Sequence, residues 1–229
     1  IQKTSIYTSV SRMDDNSMIP GAKLVRTNLM AKAVSKFGEG DRWSLDTKIQ
    51  YTNAKANNRT IGGPNGSNPF YLLNLMPRSL DVTQFRNSVD ANGNMIWYGT
   101  GSGINPYWGY QYNLNEDERD RIMMNGSLKY EIASWLTGQI NAGADIYTNN
   151  SNARTYSGSP LTPTGRYSLG KNTFTETNFQ ALFIAKKDDL FGKFGGMATL
   201  GGNLMDRQSS SISGSAGQLV VPNLFALNN

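Results

Sequence analysis

The chain has 229 residues, no cysteine, no histidine, 17% charged residues and a formal charge of +5, with a mean hydropathy of -0.47. The missing cysteine and histidine exclude disulfides, zinc-thiolate sites and Ser-His or Cys-His catalysis, and no stretch reaches the ~18 apolar residues of a membrane helix. Lysines and arginines are scattered rather than clustered, so no nucleic-acid partner is expected.

Hydrophobic residues make up only 38% of the chain, yet aromatics reach 10%. Disorder is poorly matched by so many rings and so few charges. An alternating β architecture, in which every second strand residue is apolar, fits better. There is no signal peptide, and Ile1 opens inside what reads as a strand, so the natural N-terminus is expected to precede it.

Along the chain, residues 4–12 alternate weakly, with Ile6, Thr8 and Val10 on one face, and residues 13–23 read as a loop around Pro20-Gly21. Residues 25–37 form a second strand and 38–41 a short turn. The next strand is the clearest: Trp43, Leu45, Thr47, Ile49 and Tyr51 alternate with Ser44, Asp46, Lys48, Gln50 and Thr52. Its aromatic ends suit a lipid-facing strand with rings at both interfaces, though a half-exposed strand of a soluble sandwich would read similarly.

A long insertion follows over residues 54–118, too long for an ordinary connection. It holds a short helix predicted over 70–80 and broken at Pro77, and a hairpin turn at Asn92-Gly93 between Val89 and Met95. Asp90 to Asn94 resembles the opening of a calcium loop, but its glycine is misplaced and no acid closes it; no metal or cofactor is expected. Strands resume over 121–130 and 136–146 around a turn at 131–135. Residues 149–171 read as a second long polar loop, 175–185 and 194–204 as a third strand pair around a turn at 187–193, and 209–229 as a last polar loop.

The expectation is therefore all-β: an antiparallel transmembrane barrel segment of about seven strands, with short turns at one end and long extracellular loops at the other. Seven membrane strands leave open edges, which hydrocarbon does not tolerate. On this reading the remaining strands lie outside the chain.

Several stretches carry a resemblance. They are Asn68-Pro69-Phe70-Tyr71-Leu72-Leu73 with Met76-Pro77-Arg78-Ser79, then Asn105-Pro106-Tyr107-Trp108, Arg119-Asp120-Arg121, Asn125-Gly126-Ser127-Leu128-Lys129-Tyr130 and Trp135-Leu136. Gly201-Gly202-Asn203 and the run from Gly214 to Phe225 complete the set. Together they resemble SusC/RagA-type TonB-dependent transporters of the Bacteroidetes outer membrane. The resemblance implies that residues 1–229 are part of such a barrel, embedded in outer-membrane lipid. It also implies a SusD-like surface lipoprotein as partner, a TonB complex acting through a plug region, and an oligosaccharide or peptide cargo. The plug and the TonB-contacting segment have no counterpart in this sequence.

No catalytic constellation is evident. Glu116, Asp117, Glu118 and Asp120 sit beside Arg119 and Arg121, which reads as a solvated, salt-bridged strand entry rather than a hydrolytic pair. The candidate binding residues are the aromatics Trp97, Tyr98, Tyr107, Trp108, Tyr110 and Tyr112. Their rings can stack on a ligand, bury area against a partner lipoprotein, or pack within the loop and form a membrane girdle. A passive or structural outer-membrane barrel and a soluble sugar-binding β-sandwich are the alternatives.

Overall fold

In a computed structural model the chain is described over residues 3–99, 101, 103–189, 192 and 194–229. Ile1, with the expectation that it opens within a strand, and Leu190, Phe191 and Lys193 of the expected 187–193 turn lie outside the described residues. The strands are β1 (Thr4–Asn16), β2 (Lys23–Phe37), β3 (Trp43–Asn57), β4 (Asn113–Ala133), β5 (Leu136–Thr155), β6 (Arg166–Lys187) and β7 (Gly196–Ala216). They form one seven-stranded antiparallel sheet in chain order, with β1 and β7 at its open edges. All seven lie in a single layer, so the two-layer sandwich weighed above is not formed.

The register sorts the side chains into two unlike faces. One row runs Phe37, Trp43, Tyr130, Gly138, Phe183, Leu200 across β2 to β7. A row nearer the other end runs Val10, Leu29, Tyr51, Ile122, Ile146, Thr175 across β1 to β6. Between them the same face carries Leu45, Ile49, Leu128, Met124, Ile140, Ala142 and Ala144. From Leu136 to Ile146 this apolar stretch of β5 spans about 33 Å along the strand. At the tilt typical of barrel strands, that length projects to about 25 Å along a barrel axis. Phe37, Trp43 and Tyr130 stack in succession at the short-turn end, with centroids 6.1 and 4.4 Å apart.

The opposite face is polar. Lys32 pairs with Asp46 at 3.0 Å, Arg121 with Asp145 through both Nε and Nη2, and Arg207 with Glu176 at 2.8 Å. Gln139 donates to Asn141 at 2.7 Å and Asn141 to Gln180 at 2.8 Å.

The compact core lies off the sheet. Leu72, Ile104, Trp108 and Leu219 are buried, and all come from loops. By contrast Ile6, Val10, Leu200 and Leu204 on the apolar sheet face are 71–76% exposed. A face of this kind is stable only against an apolar surrounding. No helix among the described residues is long and apolar enough to cross a membrane, which says nothing about crossing by strands.

Three expectations are corrected. The strands run well past their apolar stretches: β4 begins at Asn113 rather than 121, β5 and β6 take up most of the 149–171 loop, and β7 continues to Ala216. These extensions carry Asn, Ser, Thr and charges on both faces. Hydropathy alternation therefore stops where backbone pairing does not. The β1–β2 connection correspondingly shrinks to 17–22, and only the 58–112 connection is long. The predicted helix over 70–80 is Pro69–Leu75, ending two residues before Pro77.

Candidate functional site

The long connection folds on the end of the sheet opposite the short turns. Asn58 and Asn115 fasten it there: Asn58 accepts from the Asn115 amide at 3.1 Å, and Asn115 accepts from the Arg59 amide at 2.9 Å. Arg59 also pairs with Asp117.

Two helices organise the loop, α1 (Pro69–Leu75) and α2 (Pro106–Tyr112), and both open on Asn-Pro. Proline suits the first helical position, and an N-cap asparagine satisfies an otherwise orphaned amide. Asn68 accepts from the Phe70 amide at 3.1 Å and donates to the Gly63 carbonyl at 2.9 Å. Asn105 does more. It is fully buried, accepts from the Tyr107 amide at 2.9 Å, and donates to the carbonyls of Phe85 and Ile96 at 2.9 and 2.8 Å. One amide side chain thus joins α2 to two segments of the loop. Helix α2 is not among the elements expected from the sequence, although its Asn-Pro start was a local signal for it; the reach of Asn105 to Phe85 and Ile96 had no local signal.

The hairpin forms where expected, with Val89 bridged to Met95 and Gly93 at φ +83°. Asp90 accepts from the Asn94 and Asn92 amides at 2.7 and 2.9 Å. The Asn94 amide leads in holding its carboxyl below the usual range. The Thr83 amide does the same for Asp81, at the start of a short 3-10 turn. Both carboxylates anchor turns.

The six candidate aromatics fall into three groups. Trp97 and Tyr98 contact each other at 4.8 Å, and Phe85 meets Trp97 at 4.9 Å. Tyr107 and Tyr110 pair at 6.0 Å, with the Arg86 guanidinium over Tyr107. Trp108 is 1% exposed and begins a chain of rings: Trp108–Tyr112 at 4.3 Å, Tyr112–Tyr156 at 5.6 Å, Tyr156–Phe225 at 4.9 Å and Phe225–Tyr167 at 6.0 Å. Tyr156, Tyr167 and Phe225 were not singled out from the sequence, because they join this chain from other loops and strands. Each such pair contributes about 0.5–1.5 kcal/mol beyond area burial. The rings tie the 58–112 loop, the 156–165 loop and the C-terminal segment into one cap.

Gly158 sits at the joint, with φ +109°. Its carbonyl accepts from the Met95 amide at 2.8 Å. A Cβ there would collide with the Gly93 carbonyl and come within 3.0 Å of Trp108 Cη2. Gly158→Ala is therefore expected to destabilise the cap by about 1–3 kcal/mol, seen as an earlier tryptophan-fluorescence transition on heating. An unchanged transition would show that the joint is not tight.

Several concavities among the described residues are open to a ligand, three of them on the polar face or in the cap. An open cleft of about 630 Å³ on the polar sheet face is lined by Asp46, Asn125, Asn141, Asp145, Glu176 and Asn178. A cleft of about 450 Å³ in the cap lies among Asn92, Asn94, Trp108, Tyr112, Tyr156 and Asn223. A groove of about 260 Å³ is bounded by Met18, Ile61, Phe70, Leu73, Tyr107 and Tyr110. Rings beside amides suit hydroxyl- or amide-rich ligands. Among the described residues no three His, Cys, Asp or Glu side chains are grouped to hold a metal ion, and Asp46, Asp145 and Glu176 are each engaged by a cation.

No protein-family model matches the chain, and no curated protein matches it in sequence. Solved structures do match in fold. The chain superposes on a structure of the RagAB peptide transporter with a TM-score of 0.74 and 20% identity over 99% of its length. It matches the RagAB peptide importer in the closed-closed state (TM-score 0.71, 19% identity, 100% of the chain) and in the open-open state (0.71, 21%, 99%). In each case it spans 25% of the matched chain. At this identity the likeness establishes the fold, that of a section of a RagA-like barrel.

Proposed function

We propose that this chain is a section of the wall and outer cap of an outer-membrane, TonB-dependent nutrient importer of the SusC/RagA type. The observation that carries the reading is the two-faced sheet. One face is apolar, exposed and ends in a row of stacked rings at the short turns; the other is polar, and the opposite end bears a folded, ring-rich cap. The RagA-like fold supports it. The apolar face meets outer-membrane lipid, and the polar face lines the passage for a bulky polar cargo, an oligosaccharide or a peptide. The cap, with Trp97, Tyr98, Tyr107, Tyr110 and Tyr112 half-buried at its surface and Trp108 inside it, meets cargo or a SusD-like surface lipoprotein. TonB supplies work through a plug region, and the chain itself makes and breaks no covalent bond.

The test is the physical state of the full-length protein. It is expected to fractionate with outer membranes, to need detergent for solubility, and to co-purify with a lipoprotein. A protein that stays monodisperse in water without detergent would sink the membrane reading.

A further inference from the structure

We propose that the lipid-side face carries, just beyond its apolar rows, a binding site for the phosphate- and hydroxyl-bearing headgroup of an anionic lipid, with Lys55 and Lys171 as its cations. This rests on the membrane reading of the apolar face. Lys55 lies on that face, four residues past Tyr51, in a register row that continues Lys55, Glu118, Asn150, Lys171, Ile212. The row therefore sits about 13 Å along the strands from the last apolar row. That distance is bridged by a headgroup layer plus a lysine stem.

A groove of about 500 Å³ runs along this row. Lys55 and Lys171 are exposed at its two sides, three strand spacings or about 14 Å apart. Neither is ion-paired among the described residues, although the neighbouring Lys23 is, to Asp14. Lys55 stands opposite Glu118 in the register without an ion pair between them, so both ammonium groups are free to turn to a phosphate. Between the two lysines stand Glu116, Asp117 and Glu118, with Asp117 engaged by Arg59 and Glu118 accepting from Asn53 at 3.0 Å. Carboxylates there disfavour a bare phosphate but accept from hydroxyls, which selects a headgroup carrying both.

Apolar side chains reappear beside the cations: Leu169, Ile212 and Leu227 are 37%, 72% and 50% exposed. Leu227 reaches this surface from the C-terminal segment by lying on Gly214, where a Cβ would meet it at 3.0 Å. A groove with free cations, hydroxyl acceptors and an apolar wall, continuous with a lipid-facing surface, fits an amphiphile whose acyl chains lie on the rows below.

The experiment uses the full-length protein in detergent, titrated with phosphatidylglycerol or phosphatidylcholine and read by native mass spectrometry. Wild-type protein is expected to retain phosphatidylglycerol preferentially. The double variant Lys55→Gln/Lys171→Gln should lower its apparent affinity for that lipid about thirtyfold and leave phosphatidylcholine unaffected. Lys55→Arg/Lys171→Arg should keep it, and Lys48→Gln, on the polar face, should change nothing. Equal retention of both lipids by wild type, an unaffected double variant, or an equal loss in Lys48→Gln overturns the site while leaving the membrane reading intact. Loss of a co-purifying acidic protein from the double variant, with its lipid content unchanged, also overturns it. Solubility without detergent removes the membrane reading itself.

Discussion

Arginine at position 49 is expected to cost about 2–4 kcal/mol of folding free energy in a bilayer, whereas arginine at position 50 should cost within about 0.5 kcal/mol of nothing. Ile49 lies on the apolar face, in register with Ala31 and Met124, and is 49% exposed. Gln50 points to the other face, in register with Met30 and Met123, where Lys32, Lys48 and Arg121 already stand. The two substitutions add the same charge and bulk to neighbouring positions of one strand and differ only in the face that receives them. A charge near the middle of a membrane has no cheap partner, while one in an aqueous passage keeps its water. Folding of Ile49→Arg and Gln50→Arg into phospholipid vesicles, followed by urea titration, separates them. Equal costs would mean that the apolar face does not contact lipid.

The same alternation decides how much of the fold can be read from sequence. The core of β3 is legible because Trp43, Leu45, Ile49 and Tyr51 alternate with polar neighbours, as a strand with one apolar and one polar face requires. Beyond the apolar rows that constraint ends. Asn149 pairs with Asn172, Asn150 with Lys171 and Ser151 with Gly170, and these polar ladders are held by backbone hydrogen bonds that almost any residue but proline permits. The strand count was therefore legible, and the strand ends were not.

In the cap the limit is of another kind. The Asn-Pro pairs at 68 and 105 signal helix starts by a mechanism confined to neighbouring residues, and Asn92-Gly93 likewise signals its hairpin. The chain from Trp108 through Tyr112 to Tyr156 and Phe225 joins residues from three separate connections. Only their tertiary arrangement brings them together, so the sequence grouped Trp108 with its near neighbours Trp97 and Tyr98, which pack elsewhere. Proximity along the chain found the local pairs Trp97–Tyr98, Tyr107–Tyr110 and Trp108–Tyr112, and missed Tyr156 and Phe225, which reach the Trp108 cluster from other segments.

Removing the Asn105 side chain is the second substitution expected to have a large effect, and it falls on the cap rather than the sheet. Asn105→Ala keeps the backbone but leaves the Phe85 and Ile96 carbonyls and the Tyr107 amide without their partner, in a place water does not reach. An N-cap loss together with unsatisfied buried groups amounts to about 3 kcal/mol or more. Asn105→Asp is expected to be as severe: it keeps an acceptor for Tyr107 but turns an oxygen toward two carbonyl oxygens. Because seven paired strands do not depend on this residue, the cost should appear as local opening. Proteolysis within residues 58–112 should rise about a hundredfold, since cleavage follows the open population, while the sheet stays folded. Asn92→Ala serves as the contrast, being exposed at the hairpin tip, and should change cleavage little. Were Asn105→Ala cleaved no faster than wild type, the cap would have to be held by its rings alone. In that case the buried asparagine would not be what fixes the rings in position for a ligand or a partner.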